Sequence, residues 1–105
     1  MNVIVAGTDD HDIAAAIESE GHSVARVDIA NRPALEEAGI HETAVLVLTE
    51  IEQATAIAVA KDLNADLKVV IYSEGSLPDF ASRQADMMVD PELLDAEAVA
   101  AELDA

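Results

Sequence analysis

Short apolar runs alternate with amphipathic stretches along the whole chain. Residues 2–6 (NVIVA) form a continuous β-rich run, as in a parallel strand buried on both faces. Gly7-Thr8-Asp9-Asp10 follows with turn and cap chemistry. Residues 12–20 then read as a helix with Ile13, Ala16 and Ile17 on one face, closed by Gly21. Residues 23–29 alternate, with Val24 and Arg26 on one side and Ala25 and Val27 on the other, which predicts a strand near a sheet edge. Asn31 as cap and Pro33 in the first turn open a short helix through Ala38, stopped by Gly39. Residues 44–49 (AVLVLT) are the most apolar strand and are expected at the sheet centre. Residues 51–63 read as one helix, packing through Ala54, Ile57, Ala58 and Ala60. A fourth strand follows at 67–72, a short helix at 76–84 and a fifth strand at 86–89. A terminal helix at 91–103 carries Leu94, Val99 and Leu103 on its apolar side.

This order predicts an α/β fold: a three-layer, Rossmann-like domain with a mostly parallel five-stranded sheet flanked by helices. One domain is expected over residues 1–105. Ligands of such sheets bind beyond the carboxyl ends of the strands, here residues 7–10, 28–31, 49–52 and 73–76.

Composition narrows the function. Five Lys and Arg stand against 22 Asp and Glu, a formal net charge of −17, yet 51% of residues are hydrophobic, so a core can form. The sign of the charge argues against nucleic-acid binding through phosphates and against anionic membrane surfaces. No apolar run approaches the roughly 18–20 residues of a bilayer span, so no membrane insertion is expected. The first residues lack the basic region of a signal peptide, and the chain has no Cys, so disulfides and thiolate chemistry are out. A cytoplasmic location is expected. Few Lys, 21 Ala and an acidic surface suit a halophilic, high-salt cytosol, where self-repulsion is screened. The carboxylates lie on every expected helix rather than gathering on one face, which argues against a nucleic-acid mimic.

Residues 32–40 (RPALEEAGI) leading into 44–49, the run AIAVAKDLN at 56–64, and ADMMVDP at 85–91 carry a family resemblance. In that order they resemble the TrkA-N (RCK N-terminal) domain, the Rossmann-like regulatory module of potassium transport systems. The resemblance implies a homodimer, a protein partner and a dinucleotide site. Gly7, Asp28 and Thr49 match family-type contacts to NAD or an adenine nucleotide. The departures matter. A Gly-x-Gly-x-x-Gly loop lets backbone N–H groups approach a pyrophosphate. Here the loop is Ala6-Gly7-Thr8-Asp9-Asp10-His11-Asp12, where only Gly7 matches and three carboxylates face the phosphate position. Thr55 replaces a family Asn, and a helix and strand usual after strand two are missing, so the domain reads as truncated. Dinucleotide binding is therefore expected to be impaired or lost, with no obligatory cofactor.

Other candidates have plainer explanations. Asp9-Asp10-His11-Asp12 resembles an oxygen-rich metal cluster, but helix capping explains it better, and no metal is expected. His22 and His41 have no nucleophile at motif spacing, and the Ser residues lack a Gly-x-Ser-x-Gly elbow, so no catalytic residue is expected. Arg26 and Arg32 either pair with neighbouring carboxylates or hold a phosphate. Met87 and Met88 read as core or edge contacts. The reading is a non-enzymatic, self-associating regulatory or binding module. Two alternatives are a small adenine-nucleotide sensor and an accessory subunit of an enzyme.

Overall fold

The computed structural model describes residues 1–75 and 83–103. Five strands, β1 (Asn2–Ala6), β2 (Ser23–Val27), β3 (Val45–Leu48), β4 (Lys68–Tyr72) and β5 (Met87–Val89), form one sheet in the order β2-β1-β3-β4-β5. Every neighbouring pair is parallel. Alternate strand residues face opposite layers. Ile4, Leu46, Leu48, Val69 and Ile71 pack with Leu35 of α2 (Arg32–Glu37) and Ile57 of α3 (Ala56–Leu63). Val3, Val5, Val45, Val47 and Val70 pack with Ile13 and Ile17 of α1 (Ile13–Ser19) and Val99 of α4 (Ala96–Glu102). The three-layer, mostly parallel architecture expected from the sequence is present, and its strand order is that of the flavodoxin-like doubly wound folds.

Local chemistry accounts for most boundaries. The Asn31 carboxamide oxygen accepts from the Ala34 N–H at 2.9 Å and starts α2. Gly21 and Gly39 adopt positive φ at the ends of α1 and α2. β2 lies at one sheet edge, and β3 at the centre with all four residues buried, as expected.

Two expected helices are shorter. Residues 51–63 divide into a 3-10 turn (Ile51–Gln53) and α3. The Gln53 side chain receives the Ala30 N–H at 2.7 Å and donates to the Asp28 carbonyl at 2.9 Å. That tie to the end of β2 is a tertiary constraint no local pattern displays. The terminal helix begins at Ala96 rather than residue 91. Asp95 caps it through the Ala98 N–H at 2.9 Å, and Asp90 holds 90–94 in a turn, its carbonyl accepting from Leu93 at 2.9 Å. Leu94 is therefore exposed instead of facing the core. The helix expected at 76–84 lies outside the described residues except for Arg83 and Gln84, which form a turn. Among the described residues no helix is long and apolar enough to cross a membrane.

Asp86 fastens β5 and α3 to β4. One carboxylate oxygen accepts from the Val69 N–H at 2.7 Å and from Lys61 Nζ at 2.9 Å, while the Asp86 N–H donates to the Val69 carbonyl at 2.8 Å. Burial pushes this carboxyl upward, but the Val69 N–H and Lys61 outweigh it and hold it below its ordinary value. A depressed carboxyl stabilises the fold above its unfolded pKa, and that contribution disappears as pH falls through the folded value. The Asp86→Asn variant should therefore lose about 1 kcal/mol at neutral pH, a figure reduced for its solvent exposure. Denaturant titrations of both proteins across the acid range should converge once the wild-type carboxyl is protonated.

Candidate functional site

In the order β2-β1-β3-β4-β5 the chain winds one way from β1 to β2 and the other way from β3 onward. The loops after β1 and β3 part, leaving a crevice at the carboxyl ends of the strands. A cleft of about 190 Å³ occupies it, lined by Thr8, Asp9, Asp10, His11, Ile13, Thr49, Tyr72, Ser73, Glu74 and Pro91. No Lys or Arg is among these residues.

Thr49 straps β3 to β1. Its N–H donates to the Ala6 carbonyl at 3.0 Å. Its hydroxyl lies 2.5 Å from the Thr8 carbonyl oxygen and 3.1 Å from that of Ala6, and donates to this pair. Gly7 makes the approach possible. It holds φ +103°, and a Cβ there would run into the Thr49 hydroxyl and come within 2.9 Å of a Glu50 carboxylate oxygen. Asp28, at the end of β2, stands apart from this cleft and lines another with Arg26 and Glu37. Of the three residues singled out as cofactor contacts, Gly7 and Thr49 thus meet at the crevice and Asp28 does not join them.

The start of α1 is closed by its own acid. Asp9 accepts the Ile13 N–H on one oxygen at 2.7 Å and the Ala14 N–H on the other at 3.3 Å. The first two helix N–H groups, which a phosphate would meet, are thus engaged. Asp12 takes a left-handed conformation, φ 57°, and does not line the cleft. His11 lies edge-on to Tyr72, ring centroids 5.8 Å apart. Tyr72 is buried and donates to the Leu94 carbonyl at 3.0 Å. Burial, then the charges of Asp95 and Glu97, push its phenol above the ordinary value, so it serves as a neutral donor.

The acidic group that comes together is not the 9–12 run. Oxygens of Glu74, Asp90 and Glu92 lie within 4.8 Å of one another. The charge of Glu74 and a hydrogen bond to it, with the charge of Asp90, raise the Glu92 carboxyl. Asp90 lies at the end of β5, outside the four loops expected from the sequence to hold the site. Oxygen donors of this kind suit hard divalent cations, and exposed acidic groups are common without one. Arg32 pairs with Glu36 at 3.5 Å, the ion pair considered for it. Arg26 is exposed on β2, and His22 Nδ1 lies 3.2 Å from the Met1 nitrogen. His41 sits in an exposed 3-10 turn. Met87 packs against the core and Met88 is exposed.

A family model described as a family of unknown function (DUF7126) matches residues 3–103. No curated protein matches. Among solved structures, HP1043, an orphan response regulator of H. pylori, is 13% identical, with TM-score 0.77 over 99% of this chain and 93% of its own. A response regulator from Burkholderia pseudomallei, with a phosphorylated aspartic acid, calcium ion and citrate, is 20% identical, with TM-score 0.68 over 97% of this chain and 65% of its own. An atypical orphan response regulator, described as revealing a phosphorylation-independent regulatory mechanism, is 14% identical, with TM-score 0.71 over 99% and 92%. At these identities the likeness is one of fold.

These matches overturn the TrkA-N resemblance. The physical reason is topological. A Rossmann sheet runs 3-2-1-4-5-6. Without its outermost strand it becomes 2-1-3-4-5 on renumbering, the order found here. The same strand, turn and helix signals therefore arise in both folds. The regulatory module with an impaired dinucleotide site, the adenine-nucleotide sensor and the accessory enzyme subunit are set aside with that resemblance.

Proposed function

We propose that this chain, which belongs to the DUF7126 family of unknown function, is a receiver-like regulatory domain that acts by protein contact, without phosphoryl transfer and without catalysis of its own. The fold shared with response regulators supports the regulatory part. The observation that carries the rest is the engaged state of the crevice. Thr49 follows β3 with its hydroxyl bound to the carbonyls of Ala6, in β1, and Thr8, in the loop after it, and both Asp9 oxygens cap α1. A phosphorylated carboxylate would add close to two further negative charges beside Asp10 and Glu74. Anions of that charge are held by Arg, Lys or metal ions; among the described residues the cleft lining holds no Arg or Lys, which leaves only a cation bound by acids such as Glu74 to offset the charge. A cytoplasmic protein partner fits a cysteine-free acidic chain. Amide NMR spectra recorded with and without Mg²⁺ and acetyl phosphate test this reading. The Gly7, Thr8, Thr49 and Ser73 signals should stay in place; a slow second set of signals at those residues on adding the phosphodonor would refute it.

A further inference from the structure

β2 is an edge strand with one side unpaired. The Ser23 N–H donates to the Met1 carbonyl at 3.0 Å, and the Val27 carbonyl receives the Gly7 N–H at 2.8 Å. In a parallel ladder this directs the backbone groups of Ser23, Ala25 and Val27 toward β1, and those of Val24 and Arg26 outward. Two shallow clefts run beside this edge, both lined by Ala25 and Ala38, so α2 leaves it uncovered. Residues 21–27 contain no carboxylate, in a chain with 22. The opposite edge, β5, is three residues long and bounded by Asp86 and Asp90.

We infer that β2 pairs antiparallel with β2 of a second copy about a two-fold axis at Ala25, joining two sheets into one. This inference is independent of how the crevice works. In this register Val24 stands opposite Arg26 of the second copy, both with outward backbone groups, and each such pair exchanges two N–H···O bonds. Ala25 meets its own symmetry mate across a pair without hydrogen bonds, where a small side chain fits. The register sets Asp28 across from His22 rather than acid against acid. Moving the axis to Arg26 would bring two guanidinium groups face to face, and moving it to Val24 would set Arg26 against His22. Two chains of net charge −17 repel over most of their surface. The strand itself brings no carboxylate to the seam, while Glu42, Asp28 and Glu37 stand in the clefts beside it, so the approach of two copies needs salt, which shortens the Debye length from ~10 Å at 0.1 M to ~3 Å at 1 M.

Sedimentation velocity should show a dimer fraction that grows from low to molar KCl. Arg26→Pro removes only an outward donor, which an edge strand tolerates, and should give a folded monomer at every salt concentration. The second test uses the absence of native Cys. Facing residues in a pair without hydrogen bonds have Cα atoms about 4.5 Å apart, within disulfide range. The Ala25→Cys variant should oxidise to a covalent dimer, and Val24→Cys should not. If Arg26→Pro fails to fold, the contrast between the two thiol variants decides. A wild type that is monomeric at all salt concentrations, a persistent dimer in folded Arg26→Pro, or equal cross-linking of the two thiol variants overturns the inference.

Discussion

Replacing Gly7 by alanine should destabilise the fold by about 3–5 kcal/mol, through strain at positive φ and a steric clash together. Gly7 holds φ +103°, where an L side chain is strained, and the added methyl would run into the Thr49 hydroxyl beside Glu50. Relief requires β1 and β3 to separate where Thr49 straps them, or Glu50 to leave its contact with Gln53 at 2.6 Å. Gly21→Ala provides the comparison. Gly21 has a similar φ of +90°, but a Cβ there meets nothing within 4 Å. That variant carries only the conformational penalty, about 1–2 kcal/mol. Denaturant unfolding of the two variants in molar KCl separates strain from collision. Equal losses would mean that the approach of Thr49 to Gly7 is loose.

The second large effect is salt. Five cations serve 22 carboxylates. Lys61 is engaged with Asp86 and Arg32 with Glu36. Most acidic side chains are left to repel one another within a Cα radius of gyration of 12.1 Å. Distances of that size fall inside or near the Debye length at 0.1 M salt and well outside it at 1 M. The unfolded chain spreads the same charges further apart, so screening favours the folded state. Between 0.1 M and 3 M KCl the unfolding free energy should rise by on the order of 3–5 kcal/mol. Thermal melts over that range check it. A flat response would mean that the carboxylates are already neutralised by something other than screening.

Much of the fold was legible because burial on both faces leaves an unmistakable pattern. The fully apolar run of β3 located the sheet centre, the run of β1 a strand buried on both faces, and the alternation in β2 an edge. Asn31, Pro33, Gly21 and Gly39 marked helix ends through local chemistry. What stayed hidden was tertiary. Gln53 interrupts a helical pattern because its side chain reaches Ala30 and Asp28 more than twenty positions away in sequence. Asp95 takes the cap of α4 because Asp90 has already wound the preceding residues into a turn.

The site was legible in part for a related reason. Of the acids at 9–12, Asp9 caps α1, whereas Asp12, directly before the helix, makes no side-chain cap bond. Gly7 looked like the remnant of a phosphate loop, although its conformation makes room for Thr49. A glycine at the end of β1 answers both needs, and sequence alone does not distinguish them. The gathering of Glu74, Asp90 and Glu92 depends on β4 and β5 being neighbours, which no short-range spacing encodes.

Whether this proposed receiver-like domain accepts a phosphoryl group is decided by intact-protein mass spectrometry. The chain would be incubated with acetyl phosphate and Mg²⁺ in molar KCl, with its folded state checked by circular dichroism. One unmodified mass is expected. A single acid-stable, hydroxylamine-sensitive phosphoryl adduct, mapped to Asp10, Glu74 or Asp90, would contradict it.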